Sequence, residues 1–278
     1  MAYNEFKPRL WSDAILDNLD KRLVFGALAN RSYEGEIRAK GNSVVINEVG
    51  DVTVNDYTGS TITYEELEDS AKLLLIDKAK YAAVTLDDID RVQANADLMA
   101  KLSQRMGYAI ADDIDQFLAK LYDQAGIVDG ATNDVTDVNS ANVTEVISNM
   151  AKLMDENNVP DTGRVMVAPP WFFEKLTLAK ITLDTNNSGT LANGFQGRAL
   201  GFDTYKSNNV QKSGTAWWAP MFFVRGMTYA MAQQILSVEP IRREDTFSDA
   251  LRTLSVYGGK VIYPDALGIS YVKPTAEV

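Results

Sequence analysis

The sequence has 278 residues, lacks both cysteine and histidine, and carries a formal net charge of −11 with a pI near 4.6. Without cysteine the chain forms no disulfide or thiolate metal site, and without histidine it forms no serine–histidine triad. The acidic balance, with no basic stripe, argues against a free-standing nucleic-acid-binding protein. No apolar run approaches the roughly 20 residues that span a bilayer, so the sequence predicts no membrane contact.

The first predicted element is an amphipathic helix from Ser12 to Ala29, with Ser12 as its N-cap and apolar residues at helical spacing. Pro8 favours an extended segment before it, where we expect Trp11 to be exposed. Apolar anchors on such an arm favour two interpretations equally: a strap on a neighbouring subunit, or a helix packed on its own domain.

Short β-prone segments separated by glycines fill residues 35 to 86 and predict a long two-stranded hairpin. An isolated two-stranded hairpin is only marginally stable in water, so we expect it to lie on its own chain or on a neighbour. Its polar residues are candidates for charge pairs between subunits, each contributing less than about 1 kcal/mol. The candidate intersubunit contacts, including the aromatic residue of the N-terminal arm, are Trp11, Arg38, Lys40, Glu65, Glu66, Glu68 and Asp69.

An alternating, extended arm from Lys72 leads into the longest predicted helix, whose apolar stripe runs from Val92 to Leu121. Thr85 and Asp88 have the spacing of a capping box at its start. At 1.5 Å per residue such a helix would be about 50–55 Å long. Globular helices average about 11–12 residues, so this one favours an architectural role.

The middle of the chain predicts a compact α/β unit. A turn-rich connector at residues 127–141 lacks the spacing of a calcium loop. A helix capped by Asn142 and Glu145, a buried strand from Arg164 to Ala168 and a helix opened by Pro170 follow it.

The remaining segments predict loops and strands. Residues from Leu183 to Arg198 have the composition of a loop, and strands are predicted within GFDTYKSNNV and AWWAPMFFVR. The tail from Ser237 predicts a long strand with a bulge or bend at Gly258–Gly259, and we expect this strand to pack on the long helix.

The search for chemistry yields no catalytic residue, metal site or cofactor site. The stretch from Asp112 to Asp161 is dense in carboxylates, with Lys120 and Lys152 as its only cations, and is typical of a solvated acidic face. Asp112 and Asp115 have a spacing that could hold a hard cation, but nothing else converges on them. The glycine-rich stretches fit neither a dinucleotide-binding nor a phosphate-binding loop.

Three segments together carry a resemblance that covers essentially the whole chain: RLWSDAILDNLDKRLVFGALANRSYEGEI, LLIDKAKYAAVTLDDIDRVQANADLMAKLSQRMGYAIADDID and SVYGGKVIYPDAL. In content and order they resemble the major capsid (coat) proteins of tailed bacteriophages. The resemblance implies an α+β protein with the Hong Kong 97-like capsid fold. Its parts would be an N-arm with N-terminal helix (1–34), an extended β-hairpin E-loop (35–86), a peripheral domain with the spine helix (87–141), an axial domain (142–236) and return strands of the peripheral domain (237–278).

The resemblance also implies a function. The E-loop would reach over an adjacent subunit, and hexamers and pentamers would close an icosahedral shell around packaged double-stranded DNA. The implied location is the virion capsid, assembled in the host cytoplasm, and the implied partners are a scaffolding protein, a portal protein and a decoration protein. The arm starts within ten residues of Met1, so a separate scaffold or a removed segment is implied.

Some family members cross-link a lysine of the E-loop to an asparagine of the peripheral domain. Lys72, Lys78 and Lys80 are candidate lysines, but no asparagine follows Asn209, so we expect a non-covalent shell. Two other functions stay open. One is an encapsulin-type nanocompartment, which has the same fold but encloses protein cargo. The other is a carboxylate-based hydrolase, for which we would expect a monomer or small oligomer with a deep acidic cleft.

Overall fold

The structure, a computed structural model, describes residues 23–32, 43–49, 69–87, 98–179, 195–242 and 248–276. The helices are α1 (Phe25–Leu28), α2 (Leu98–Ala119), α3 (Val143–Glu156) and α4 (Pro170–Leu178), with 3-10 turns at Lys120–Gln124 and Pro264–Ala266. The strands are β1 (Ser43–Val49), β2 (Asp69–Leu75), β3 (Lys78–Asp87), β4 (Ile127–Asp129), β5 (Thr136–Val138), β6 (Arg164–Ala168), β7 (Phe195–Ala199), β8 (Phe202–Lys206), β9 (Lys212–Ser213), β10 (Trp217–Trp218), β11 (Met221–Val224), β12 (Tyr229–Arg242), β13 (Ser248–Val261), β14 (Leu267–Ser270) and β15 (Val272–Pro274).

A six-stranded mixed sheet, in the order β4-β14-β11-β6-β8-β7, has helices on both faces. Strand β6 is buried along its whole length because its side chains alternate between two cores. Val165 and Val167 belong to the core that includes α2, whereas Met166 belongs to the core of α3 and α4. The predicted strand β6 and the helix opened by Pro170 are therefore confirmed.

The second large sheet is a ribbon in the order β12-β13-β3. Strands β12 and β13 pair from Tyr229 opposite Val261 to Arg242 opposite Asp249. Of the predicted bulge or bend at Gly258–Gly259, the bulge is wrong, because both glycines pair regularly and the register shifts instead between Ile235 and Ser237.

The tail packs on the long helix, as predicted. The rings of Phe117 in α2 and Tyr257 in β13 meet edge to face with centroids 5.5 Å apart. The Tyr257 hydroxyl donates a hydrogen bond to the Asp113 carboxylate, and Lys80 of β3 lies 3.7 Å from the same carboxylate. Burial, together with the Asp113 carboxylate, raises the pKa of Tyr257, so this tyrosine stays a hydrogen-bond donor.

The start of the long helix differs from the prediction. Within the described residues α2 begins at Leu98, and its 22 residues span about 33 Å at 1.5 Å per residue. The predicted capping box is wrong, because Thr85 lies inside β3 opposite Ala250. Pairing with β13 continues the strand to Asp87, and a β-branched threonine suits that extended conformation. The predicted stripe between Val92 and Ala96 lies outside the described residues.

Helix α3 starts as predicted at Val143, but the Asn142 side chain makes no capping bond and instead accepts from the Asn139 N–H.

Several other predicted boundaries are corrected by pairing between distant segments. The predicted connector at 127–141 contains β4 and β5, which pair in parallel with β14 and β15. The end of the predicted loop from Leu183 to Arg198 is wrong, since Phe195–Ala199 forms β7; residues 183–194 lie outside the described ranges. The strands predicted in GFDTYKSNNV and AWWAPMFFVR are confirmed as β8, β10 and β11.

Two leucines of α4 test the assignment of the core. Leu176 is fully buried, so Leu176→Ala should lower the free energy of unfolding by about 2–5 kcal/mol through lost contacts and a residual cavity. Leu178 is 51% exposed, so Leu178→Ala should cost less than about 0.5 kcal/mol. Chemical denaturation of the unassembled protein measures both, and equal losses would contradict the burial of this helix.

Candidate assembly site

The hairpin of β1 and β2 lies on the ribbon through its inner face. The two strands are antiparallel, with Val44 opposite Leu74 and Val45 opposite Leu73. Alternation along a strand sends neighbouring side chains to opposite faces, so Val44 and Leu74 share the inner face. That face is buried in a core of Val44, Ile46, Leu74, Ile76, Ala230, Ala232, Val256 and Ile262. The predicted need of the hairpin for a supporting surface is therefore met partly within its own chain.

The outer face of the hairpin is also apolar, but it is exposed. Val45, Leu73 and Leu75 are 52%, 39% and 54% exposed, and we call these three residues the hairpin patch. Leu73 and Leu75 also line a groove of about 290 Å³ that separates the hairpin from Phe117 and Leu121 of the long helix and its 3-10 extension. Contiguous exposed apolar side chains mark interaction surfaces more often than single ones do.

A second exposed apolar surface lies on the ribbon. Tyr81 of β3 and Leu254 of β13 are directly opposite each other and are 79% and 36% exposed. We call this pair the ribbon patch. On this face of the ribbon, the next cross-strand pair is Val256 and Ala79, which belongs to the hairpin core. The ribbon patch therefore lies just beyond the part of the ribbon that the hairpin covers. Arg252, also exposed, is two residues from Leu254 on the same face.

A buried carboxylate anchors the N-terminal segment to the long helix. Asp115, which is 1% exposed, accepts hydrogen bonds from the N–H groups of Val24 at 3.0 Å and Gly26 at 3.3 Å. The Asn209 side-chain amide donates to Asp115 and to Asp112, each at 2.9 Å. The two carboxylates that the sequence suggested as cation ligands are thus bridged by an amide.

This anchor explains why the predicted helix from Ser12 to Ala29 is interrupted at Leu23 and Val24, although Phe25–Leu28 is helical as predicted. Leu23 and Val24 are not helical, and α1 is a single turn whose first N–H groups are bound by Asp115. The Tyr229 hydroxyl donates to the Phe25 carbonyl at 2.8 Å, and the N–H of Asn30 donates to the Tyr229 carbonyl at 3.0 Å. Residues 12–22 of the predicted helix lie outside the described residues.

Burial governs the electrostatics of this anchor. Desolvation raises the pKa of Asp115, although hydrogen bonds from Asn209 and from the backbone of residues 24–26 act in the opposite direction. Burial and the nearby Asp115 charge also raise the pKa of Tyr229. Among the described residues no cationic side chain pairs with Asp115, so its ionised form is held by neutral donors alone.

The predicted contact residues fall almost entirely outside the described residues: Trp11, Arg38, Lys40, Glu65, Glu66 and Glu68. Asp69 begins β2 opposite Val49, at the end of the hairpin away from the core. Sequence reasoning missed both apolar patches. The signal was present in VVI at 44–46 and LLLI at 73–76, because consecutive apolar residues in a strand put apolar side chains on both faces.

The described residues offer little to catalysis. In the part of the chain that the structure covers, no group of three carboxylates is close enough to hold a metal ion. Arg164, which is buried, pairs with Asp155 at 2.7 Å and Asp161 at 3.0 Å, so part of the acidic stretch serves to fix a loop. None of the helices described is long and apolar enough to cross a membrane.

Comparison with known proteins decides the family. Residues 70–272 match the family model described as phage capsid protein. The chain belongs to the phage capsid protein family. A solved structure from Mycobacterium phage Che8 is 31% identical to this capsid protein, with a TM-score of 0.77 and coverage of 97% of this chain and 98% of that one. No curated protein matches the chain significantly.

More distant structures share the fold of this capsid protein. The capsid structure of cyanophage P-SCSP1u is 18% identical, with a TM-score of 0.73 and coverage of 95% and 92% of the two chains. The asymmetric unit of the bacteriophage PhiM1 mature capsid is 15% identical, with a TM-score of 0.67 and coverage of 98% and 92%. The chain is therefore a major capsid protein of a tailed bacteriophage with the Hong Kong 97-like fold, a structural component of the virion capsid and not an enzyme.

The Asp115 anchor predicts a specific pH dependence. Because the folded-state pKa of Asp115 is raised, its contribution to stability is fully present below the unfolded value, 3.8, and is lost as the pH rises through the folded value. Asp115→Asn removes the titratable group, so the stability of the variant relative to the wild type should increase from pH 4 towards neutrality. Denaturation of unassembled protein over that range measures it.

Asp123→Asn, at an exposed carboxylate in the 3-10 turn after the long helix, is the matched control for the loss of one carboxylate, and its stability should stay within about 0.5 kcal/mol of wild type. A stability difference between Asp115→Asn and wild type that stays constant with pH would contradict the assignment of a raised pKa.

Proposed function

We propose that this capsid protein assembles as hexamers and pentamers into an icosahedral, non-covalent shell that encloses packaged double-stranded DNA. The observation that carries the proposal is the presence of two exposed apolar surfaces, the hairpin patch and the ribbon patch, in different places on one subunit. Membership of the phage capsid protein family and the likeness to the assembled PhiM1 and cyanophage capsids support it.

The hairpin patch and the ribbon patch cannot contact each other within one subunit. The inner face of the hairpin rests on the ribbon, so its outer face points away from the ribbon surface that bears Tyr81 and Leu254. Contact between different patches on two copies is a heterologous interface, which closes into rings when the rotation between copies allows it. Rings of five and six built from closely similar interfaces are the units of an icosahedral shell.

The parts of the subunit take the roles that the family resemblance implied. Residues 1–34 act as the N-arm, 35–86 as the E-loop, of which the part before β3 overlies a neighbour, 87–141 with 237–278 as the peripheral domain, and 142–236 as the axial domain around the symmetry axes. A scaffolding protein guides assembly, a portal protein occupies one vertex, and a decoration protein binds the outside. The net charge of −11 limits adhesion of the shell to the DNA inside it.

The candidate cross-linking lysines already have partners in the subunit, which supports a non-covalent shell. Lys72 donates to the Ile262 carbonyl at 2.6 Å, and Lys78 pairs with Asp77 at 2.8 Å. Lys80 lies 3.7 Å from the Asp113 carboxylate.

The assembly proposal is tested at the hairpin patch. Leu75→Glu puts a charge on an apolar contact and should abolish shells when the protein is co-expressed with its scaffolding protein. Leu75→Met, the matched control, keeps the site apolar and should assemble. Electron microscopy counts the shells, and denaturation of unassembled protein should show both variants within about 0.5 kcal/mol of wild type, since Leu75 is exposed.

Normal shells from Leu75→Glu would show that the hairpin patch is not an interface. The contents of wild-type particles distinguish the genome container from a nanocompartment: nuclease-protected DNA supports the proposal, and a protein cargo without DNA contradicts it.

The non-covalent shell has its own test. Shells boiled in detergent should run as one 30.7 kDa chain, because ordinary contacts do not survive denaturation. A ladder of linked subunits after the same treatment would contradict this prediction.

A further inference from the structure

The root of the hairpin touches the ribbon at one glycine. A Cβ atom added to Gly258 would overlap the Leu75 carbonyl oxygen and would lie 3.0 Å from the Ile76 Cα. These are backbone atoms, so they cannot move aside as the end of a long side chain can. Gly258 does not have a positive φ, so the backbone conformation does not require a glycine there. The close approach of the hairpin backbone requires a glycine at this position.

Small residues surround that contact. Ala232 is directly opposite Gly258 on β12, and Ala230 lies one pair further along the same face. Both alanines are fully buried under the hairpin. A surface of glycine and alanine lets two backbones approach closely, and the larger Leu74 and Ile76 of the hairpin fill the space above it.

A polar contact holds the same face of the hairpin further along β2. The ammonium group of Lys72 donates to the Ile262 carbonyl at 2.6 Å and lies 5.4 Å from the centre of the Tyr263 ring. Lys72 is opposite Ile46 in the hairpin, so this contact and the Gly258 contact hold different points of it. Two points of contact on a two-stranded unit restrain its tilt as well as its position.

We propose that Gly258 is a positioning residue for assembly: with Ala230 and Ala232 it forms a seat that sets the angle at which the hairpin leaves the subunit. This inference deepens the proposed function and rests on it, because the seat matters for assembly only if the hairpin patch contacts another copy. The described strands extend seven residues from the root, about 23 Å at 3.3 Å per residue. A displacement at Gly258 is therefore amplified toward the tip.

The adjacent glycine provides a matched control. Gly259 faces α2, and a Cβ added there would meet the Leu118 and Phe117 side chains at 3.0 Å and 3.1 Å. Those side-chain atoms can shift. Gly258→Ala and Gly259→Ala therefore make the same chemical change on neighbouring residues of β13, one toward the hairpin and one toward the helix.

The experiment measures backbone hydrogen exchange in unassembled protein and particle diameter in assembled protein. In Gly258→Ala the amides of β1 and β2 should exchange at least tenfold faster than in wild type, while those of α2 and β6 stay protected. Shells of this variant should be absent or altered in diameter. Gly259→Ala should keep wild-type exchange in the hairpin and form shells of wild-type diameter.

Unchanged hairpin exchange in Gly258→Ala, or wild-type shells despite faster exchange, would overturn the proposal. If Gly258→Ala fails to fold, Lys72→Met replaces it, since methionine keeps the apolar stem but loses the bond to Ile262. Its hairpin should exchange faster with the body intact and its shells should be altered, and wild-type behaviour in either measurement would again overturn the proposal. If the wild type itself forms no shell, the proposed function fails, whereas the exchange data still decide whether the seat exists.

Discussion

The whole arrangement depends on helix α2, which packs against two sheets at once. Ile114 and Leu118 share one core with Val165 of the six-stranded sheet and with Tyr257 of the ribbon. A three-stranded ribbon with strands as long as β12 and β13 needs such support, because small sheets are stable only when an apolar face is covered. The helix therefore fixes the relative position of the two sheets, and the described hairpin lies on the ribbon that the helix supports.

The alternation of side chains along β13 separates the residues that face the long helix from those that face the hairpin. Tyr257 and Gly259 face the helix, whereas Val256 and Gly258 face the hairpin. The same alternation in the hairpin puts Val44 and Leu74 into the core and leaves Val45 and Leu73 outside. Substitutions on the outer face should therefore leave the subunit stable, so the proposed role of this face in assembly can be tested separately from folding.

Sequence patterns predicted the elements that are defined by local periodicity and the packing of the tail on the long helix, but they missed most of the pairing between distant strands. The apolar stripe correctly predicted a long helix and its apolar face, and Pro170 correctly predicted the start of α4. The capping box at Thr85 failed because nothing local shows that β13 pairs with that segment. The pattern at Gly258–Gly259 favours a bulge or bend, because a sequence shows a glycine but not the Leu75 carbonyl that approaches it in the fold. Asp115 looked like one carboxylate among many on an acidic face, although it is the buried one.

Asp115 lowers the stability of the folded subunit but joins three segments of the chain through hydrogen bonds. A buried carboxylate without a cationic partner weakens the folded state relative to an apolar side chain that fills the same space. An apolar side chain, however, accepts no hydrogen bonds, whereas Asp115 binds the backbone of Val24 and Gly26 and the amide of Asn209. These bonds join the N-terminal segment, α2 and the segment that follows β8 at one point. Residues 24–26 are thus held at a fixed position on the subunit, as the root of the hairpin is at Gly258, and the assembly proposed above needs the extensions that contact neighbouring copies to start from such fixed positions.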